Sequence, residues 1–142
     1  FRGSKSNVLH RFIKCSEKYK LDTIVRITGD CPLIDKDHIL KFINIWKSIK
    51  LNSNNKFLVT NKYPFSFFDG FDVEVFSSSY LSNLNIFKSY FSMEHVTTFL
   101  YKSPSIRKVN VLSNPVDLFS KIRLVLDYKE DLSTINTFIS VL

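Results

Sequence analysis

Two carboxylates in this sequence stand where a β-sheet could bring them together. Asp30 lies in the run Arg26–Ile34, on a tight turn directly after a predicted buried strand, and Asp127 ends a second β-rich run, Lys121–Asp127. Ligands of open α/β sheets bind outside the carboxyl ends of the strands. Carboxylate oxygens at that edge are ligands that a hard cation prefers. The pair therefore predicts a site that can hold such a cation.

Each carboxylate also has a plainer interpretation. An Asp in a Gly-Asp turn often accepts hydrogen bonds from the nearby backbone, which would make Asp30 a turn residue. Asp127 and Glu130, three residues later, have the form of a capping box that opens the last helix. A structural role and metal ligation can coexist at both positions.

An arginine and a histidine are further candidates for the site. Arg26 shares its predicted strand with Thr28, and its guanidinium could bind a phosphate or a carboxylate through parallel hydrogen bonds, or form a salt bridge at the sheet edge. His95 could orient a substrate or relay a proton, because imidazoles titrate near neutral pH. A lone histidine at a helix start is more often structural.

A strictly alternating run, Phe71–Phe76, predicts a strand with one acidic face. Asp72 and Glu74 would lie on that face, while Phe71, Val73 and Val75 would face the core. Carboxylates on an open face can accept hydrogen bonds from the hydroxyl groups of a polyol. An exposed strand face with no ligand gives the same alternation.

The elements that must position these residues alternate along the chain. Ser6 or Asn7 is predicted to cap a helix through about Lys20, and Asp35 to cap the next one. Other strands are predicted over Asp22–Thr28, Phe57–Thr60, Ile106–Leu112 and Ile122–Leu126, and other helices over Ser79–Phe87, Glu94–Lys102 and a last segment with Leu132, Ile135, Phe138 and Ile139 inward. This order predicts an α/β fold with a mostly parallel sheet flanked by helices.

Composition limits the class of protein. With 142 residues, 44% of them apolar, and only three glycines and four prolines, the chain can bury a core and is not disordered. It opens abruptly and ends inside an apolar helical pattern, so we expect one partial domain over residues 1–142, incomplete at both ends. Cys15 and Cys31 lack metal-ligand spacing, which favours a reduced, cytoplasmic protein.

Membrane and nucleic-acid partners are not expected. No apolar stretch approaches the roughly 18 residues that span a bilayer. The net charge of +7 comes from lysines scattered along the chain and not from a basic run, so we interpret them as solvated helix faces.

Four blocks of sequence together resemble a known family. In order along the chain they are Arg2–Ser4 with Val8, Leu9 and Arg11; Arg26–Ile34; Asp69–Phe76 followed by Glu94–Thr97; and Arg123–Leu132. All three glycines fall inside these blocks. In this order and spacing, the chain resembles the cytidylyltransferase family that contains CMP-KDO synthetase and acylneuraminate cytidylyltransferase, especially its spore coat polysaccharide members. Asp30 and Asp127 match the positions of the metal carboxylates in that family.

The resemblance implies a Rossmann-like nucleotide-diphospho-sugar transferase fold with a mixed sheet, of which the front part, with its nucleotide loop, would precede this chain. It also implies transfer of CMP from CTP to a sugar acid or related sugar, with release of pyrophosphate and a requirement for Mg²⁺. Thr28 and Gly29 would then face the nucleotide, and Asp72, Glu74 and His95 the sugar. Relatives commonly form homodimers near the position of the aromatic segment Tyr63–Phe68, which equally suits a buried cap on the sheet.

Three other functions stay open from sequence alone. A glycosyltransferase that uses a nucleotide sugar shares the fold and an acidic metal-binding turn, but does not release pyrophosphate. A noncatalytic binding module would fit a chain without the front loop. Nonspecific RNA binding is a weaker alternative that would vanish steeply with salt.

Overall fold

The computed structural model of this chain describes residues 1–81, 93–113, 118 and 120–141. Within these ranges four α-helices, one 3₁₀ turn over Ser78–Tyr80 and four strands follow one another. The helices are α1 (Val8–Tyr19), α2 (Lys36–Asn52), α3 (Thr98–Lys102) and α4 (Lys129–Ser140), and the strands are β1 (Thr23–Arg26), β2 (Phe57–Thr60), β3 (Glu74–Ser77) and β4 (Arg107–Asn110).

The first two helices begin at the predicted caps. The Asn7 side chain accepts a hydrogen bond from the backbone N–H of His10 at 2.9 Å, and the Asp35 side chain accepts one from His38 at 2.8 Å. Each bond satisfies a backbone donor that the first helical turn leaves without a partner. The local sequence therefore determines where both helices start.

The strands form one mixed sheet in the order β1-β3-β2-β4. The predicted mixed α/β architecture is confirmed, but the expected excess of parallel pairings is wrong for the described strands. β3 runs antiparallel to both β1 and β2, and β2 and β4 alone are parallel. Parallel neighbours need a crossover, usually through a helix, whereas the connection from β2 to β3 contains no helix and reverses the chain.

Two predictions about the C-terminal part are also corrected. The segment 122–126 forms no strand in the described structure. It meets the rest of the fold through two single backbone bonds, from the Leu124 N–H to the Asp69 carbonyl (2.7 Å) and from the Leu126 N–H to the Asp30 carbonyl (2.8 Å). In α4, Ile135 is buried as expected, but Leu132 and Ile139 are about half exposed.

Two other predicted helices differ from the elements that the structure describes. The segment predicted as a helix over residues 79–87 begins as the 3₁₀ turn, and its remainder lies outside the described residues. The helix predicted from Glu94 is represented by α3, which begins at Thr98. No helix in the described ranges is long and apolar enough to cross a membrane.

The core lies between α2 and the sheet. Four valines stand opposite one another across the four strands, with Val59 and Val75 fully buried; we call Val25, Val75, Val59 and Val109 the valine row. The ring of Trp46 in α2 packs on Phe57 of β2 at 4.3 Å between centroids. Full burial of such a side chain contributes about 1.5–3 kcal/mol. This packing fixes the sheet whose end carries the candidate site.

Candidate functional site

Next to the valine row, a row of polar side chains crosses the same sheet. Arg26 stands opposite Glu74, Glu74 opposite Thr60, and Thr60 opposite Asn110. We call these four residues the polar row. β1, β2 and β4 all end at this row, so it marks the carboxyl edge of three strands. Ligands of open α/β sheets bind at such an edge.

Glu74 lies within the protein and not on an open acidic face. Its side chain is 1% exposed, and one carboxylate oxygen accepts a hydrogen bond from Arg26 Nη1 at 2.5 Å. The other oxygen accepts one from the Tyr101 hydroxyl at 2.7 Å. The predicted open face is therefore wrong at Glu74, because alternation gives the face of a strand but not the helix that covers it.

Asp72 precedes β3, which begins at Glu74 and not at the predicted Phe71. Its carboxylate forms an ion pair with Lys62 at 2.7 Å, and both side chains are about one-fifth exposed. The preceding carbonyl, of Phe71, accepts hydrogen bonds from Asn61 Nδ2 (2.7 Å) and from His38 when Nε2 carries the proton (3.0 Å). These contacts fix the loop that presents Asp72.

The turn after β1 exposes Gly29 and leaves Asp30 half-buried. The Cys31 backbone N–H donates to the Thr28 carbonyl at 3.3 Å, and Cys31 Sγ contacts Thr28 Oγ1 at 3.2 Å and Asp30 Oδ1 at 3.7 Å. No described backbone N–H donates to the Asp30 side chain. Burial raises the pKa of the Cys31 thiol, and the charges of Asp30 and Asp72 add to the rise, which places both carboxylates around this thiol.

The structure confirms that the segments of Asp30 and Asp127 meet, through the bond from the Leu126 N–H to the Asp30 carbonyl. Arg123 balances the charge of this region. Its guanidinium contacts Asp127 Oδ2 at 2.7 Å, Asp69 Oδ2 at 2.9 Å and Asp131 Oδ1 at 3.2 Å.

The charges around Arg123 also affect the carboxyl group of Asp69. Burial raises the pKa of its carboxyl; Arg123 opposes the rise, and the charges of Asp72 and Asp127 add to it. Four aspartates thus approach one end of the sheet: Asp30, Asp69, Asp72 and Asp127.

The predicted capping box is displaced by one residue. Asp131, and not Glu130, accepts hydrogen bonds from the backbone N–H groups of Tyr128 and Asp127, each at 2.9 Å. The Asp127 carboxylate is therefore not used to cap α4 and is 47% exposed. It is available to a ligand that can compete with Arg123.

Magnesium fits this donor set. No group of three His, Cys, Asp or Glu side chains among the described residues could hold a metal on its own. Mg²⁺, however, usually takes only one or two protein carboxylates and completes its shell with water and substrate phosphates. Asp30 and Asp127, on segments joined by a backbone bond, offer that number of hard oxygen ligands.

A cavity of about 500 Å³ opens beside the end of β1 and collects three of the predicted site residues: Arg26, Thr28 and Gly29. Asp30 is the next residue along the chain. His95 is exposed, next to the lining residue Glu94, and does not itself line the cavity.

Sequence reasoning missed Arg11 and Glu94 as site residues, although both line this cavity. Arg11 had a recognisable signal. It lies on the face of α1 that Val8, Phe12 and Cys15 also present to the cavity, so it is a charge within an otherwise apolar stripe. Glu94 had no comparable local signal.

The structure is a mixed α/β protein in which the polar row lies at the carboxyl ends of β1, β2 and β4, with Asp30 and Asp127 on neighbouring segments. Comparison with protein families gives the class a name: the cytidylyltransferase family model matches residues 1–138. The chain therefore belongs to the cytidylyltransferase family, as its four sequence blocks predicted.

Individual relatives agree with this assignment. The uncharacterized protein MJ1063 of Methanocaldococcus jannaschii is 37% identical over 133 residues, covering 92% of this chain and 51% of that protein. Spore coat polysaccharide biosynthesis protein SpsF of Bacillus subtilis is 28% identical over 138 residues, covering 95% of this chain and 54% of that protein. The predicted likeness to spore coat polysaccharide proteins is confirmed, and the chain spans about half the length of these curated relatives.

A solved structure shows the same fold. A cytidylyltransferase from Leptospira borgpetersenii superimposes with a TM-score of 0.86 at 29% identity, covering all of this chain and 58% of that one. The Rossmann-like expectation is thereby confirmed.

Proposed function

We propose that the protein transfers CMP from CTP to a hydroxyl group of a sugar acid or related sugar, releasing pyrophosphate, in the synthesis of a surface polysaccharide. The observation that carries this proposal is the meeting of the Asp30 and Asp127 segments beside the cavity that Arg26 lines. Membership of the cytidylyltransferase family and similarity to a protein named for spore coat polysaccharide synthesis support it.

The reaction joins a sugar oxygen to the α-phosphorus of CTP. As that bond forms, the hydroxyl group loses its proton to water, and the bond from the α-phosphorus to the pyrophosphate oxygen breaks. Asp30 and Asp127 would hold Mg²⁺. When bound, this ion offsets the phosphate charge that the nucleophile must approach and orients the leaving pyrophosphate.

The remaining predicted residues have roles that fit their positions. Arg26 would bind an oxyanion, since a guanidinium matches the geometry of phosphate and carboxylate groups. At Gly29 even an added Cβ would meet nothing within 4 Å, so the backbone there is open to a nucleotide. Asp72 and His95 remain candidates for contacts to the sugar, and Asp72 would share its charge with Lys62.

Two wider properties belong to the same proposal. Cys15 and Cys31 are free thiols, the state maintained in the reducing cytoplasm, where we place the reaction. Tyr63 and Phe65 are 56% and 44% exposed, and we propose that they contribute to a homodimer. Light scattering that gave the mass of one chain would refute the dimer.

The test is pyrophosphate release by the full-length protein from CTP with Mg²⁺ and a panel of sugar acids and sugars. Asp30→Asn and Asp127→Asn should each lower the rate by about 10²-fold or more, because the loss of metal-ion charge stabilisation costs several kcal/mol. Asp37→Asn, which changes an exposed carboxylate at the start of α2, should leave the rate unchanged.

Two results would count against the proposal. Equal rates for the Asp30 and Asp37 variants would remove the metal role from Asp30. A folded protein that releases no pyrophosphate with any acceptor, but transfers sugar from a nucleotide sugar, would be a glycosyltransferase.

A further inference from the structure

We infer that Glu74, Tyr101 and Thr60 are positioning residues that hold the guanidinium of Arg26 as a fixed binding group for a substrate oxyanion. The oxyanion is a phosphate of the nucleotide or the carboxylate of a sugar acid. This inference rests on the proposed function and deepens it, because it names the residues that prepare the anion site. It also gives buried Glu74 a role without contact to the sugar.

The hydrogen bonds behind Arg26 form one continuous chain. Arg26 Nη1 and the Tyr101 hydroxyl donate to the two oxygens of Glu74, at 2.5 and 2.7 Å. The Tyr101 oxygen lies 2.9 Å from Thr60 Oγ1, which accepts from the backbone N–H of Lys62 at 3.1 Å.

The direction of every bond in this chain is determined. A carboxylate only accepts, so the single Tyr101 proton points to Glu74. The Thr60 proton must then point to the Tyr101 oxygen. Because each group has one arrangement, the Glu74 carboxylate has a defined position beneath the arginine.

Burial keeps this arrangement in place. Arg26, Glu74 and Thr60 face one another directly across three neighbouring strands, and the Glu74 and Thr60 positions are 1% and 0% exposed. Burial raises the pKa of Tyr101 above its usual value, and the Glu74 charge adds to the rise. The phenol therefore remains a donor throughout the neutral pH range.

Arg26 is bound on one side and open on the other. Among the described residues its side chain has one hydrogen-bond partner, Glu74, which engages a single nitrogen of the guanidinium. The same side chain is 15% exposed and lines the 500 Å³ cavity together with Arg11.

Stability alone does not explain such a pair at a ligand-binding edge, because desolvation offsets much of the attraction between buried charges. The pair is explained if it holds the Arg26 guanidinium in place before the ligand binds, because binding then costs less side-chain entropy.

The test follows the side-chain Nε–H signal of Arg26 by NMR, assigned through its loss in Arg26→Lys. Inorganic pyrophosphate is titrated in one arm and glucuronate in the other. The wild-type signal should shift and saturate in at least one arm, and that arm identifies the anion as phosphate or sugar carboxylate. Tyr101→Phe should weaken this binding about 10-fold or more, because a hydrogen bond to a charged group is lost.

Tyr80→Phe is the matched control. The Tyr80 hydroxyl also makes a partly buried hydrogen bond, accepting from the Phe57 N–H at 3.1 Å, but at the opposite end of β2. Its loss should lower thermal stability without changing anion affinity. If Tyr101→Phe does not fold, Thr60→Val and Thr60→Ser provide the same comparison, with weaker binding expected only when the hydroxyl group is absent.

Three results would overturn the inference: no shift of the Arg26 signal in either arm, wild-type affinity in the hydroxyl-deleted variant, or an equal loss of affinity in Tyr80→Phe. The titration involves no turnover. Anion binding at Arg26 can therefore succeed where pyrophosphate release fails, or fail where it succeeds, so the two proposals are tested separately.

Discussion

Asp131 illustrates how one side chain can serve two partners near the site. Its Oδ2 accepts both backbone N–H groups at the start of α4, and both of its oxygens accept hydrogen bonds from Arg123. The hydrogen bond from Arg123, followed by the two backbone bonds, lowers the pKa of Asp131 to about 2. The ionised form is therefore the one that the folded protein stabilises.

Asp131→Asn should lower the free energy of unfolding at pH 7. The folded-state pKa lies below the ordinary value of 3.8, so the stabilisation is fully present above about pH 4 and is lost as the pH falls towards 2. Urea unfolding of wild type and variant across that interval measures the difference. Glu130→Gln, in the same helical turn, is the control. If the difference in the free energy of unfolding between wild type and Asp131→Asn is as large at pH 2 as at pH 7, this explanation is wrong.

The carboxylate residues in and near the candidate site differ in how well the sequence predicted their positions. Asp30 and Asp127 were found because each follows a recognisable apolar run. Glu74 was misplaced because its cover, Tyr101, comes from a helix 27 residues further along the chain. Asp131 replaces Glu130 in the capping box because the N-cap of α4 is Tyr128, one residue later than the local pattern predicted.

Gly70 joins two segments that sequence reasoning treated separately. Its φ of +104° lies in the region that favours glycine, and a Cβ there would overlap the backbone carbonyl of Leu124. The loop before β3 can therefore approach residues 123–125 only through a residue without a side chain. This approach places Asp69 against Arg123.

Gly70→Ala should destabilise the protein by more than about 1 kcal/mol, since the left-handed backbone alone costs that much and the overlap adds to it. Gly29→Ala should change stability little, because its Cβ would enter open space. Thermal unfolding compares the two. If Gly70→Ala and Gly29→Ala had equal melting temperatures, the backbone around residues 70 and 124 would have to accommodate the added methyl group without loss of stability, which would contradict this prediction.

At the level of secondary structure, short-range signals were sufficient for the caps of α1 and α2 and for the location of β2. They failed at segment 122–126, which forms no ladder: Leu124 is fully buried and Val125 nearly so, whereas Ile122 and Leu126 are exposed. Periodicity reports burial, and it cannot distinguish an extended buried segment from a strand that has a neighbour. Sequence patterns also could not predict that β3 lies antiparallel between β1 and β2, because this pairing joins segments that are far apart in the chain.

Across the whole sheet, the row that packs the core and the row at the candidate site are one residue apart along each strand. The valine row packs the interior, and the polar row next to it ends three strands and supports the site. Cross-strand neighbours share a face, so a register shift of one residue would exchange the two rows. Sequence alternation could suggest each strand, but only the pairing reveals that Arg26, Glu74, Thr60 and Asn110 are aligned.

Phosphorus NMR of the products formed from CTP, Mg²⁺ and the accepted sugar tests the proposed reaction most directly. We expect one new phosphorus bonded to both cytidine and sugar, and pyrophosphate in equal amount. Both signals should be absent without protein and should appear about 10²-fold more slowly with Asp30→Asn. Unchanged CTP with every sugar, from a folded protein that binds nucleotide and Mg²⁺, would contradict cytidylyl transfer.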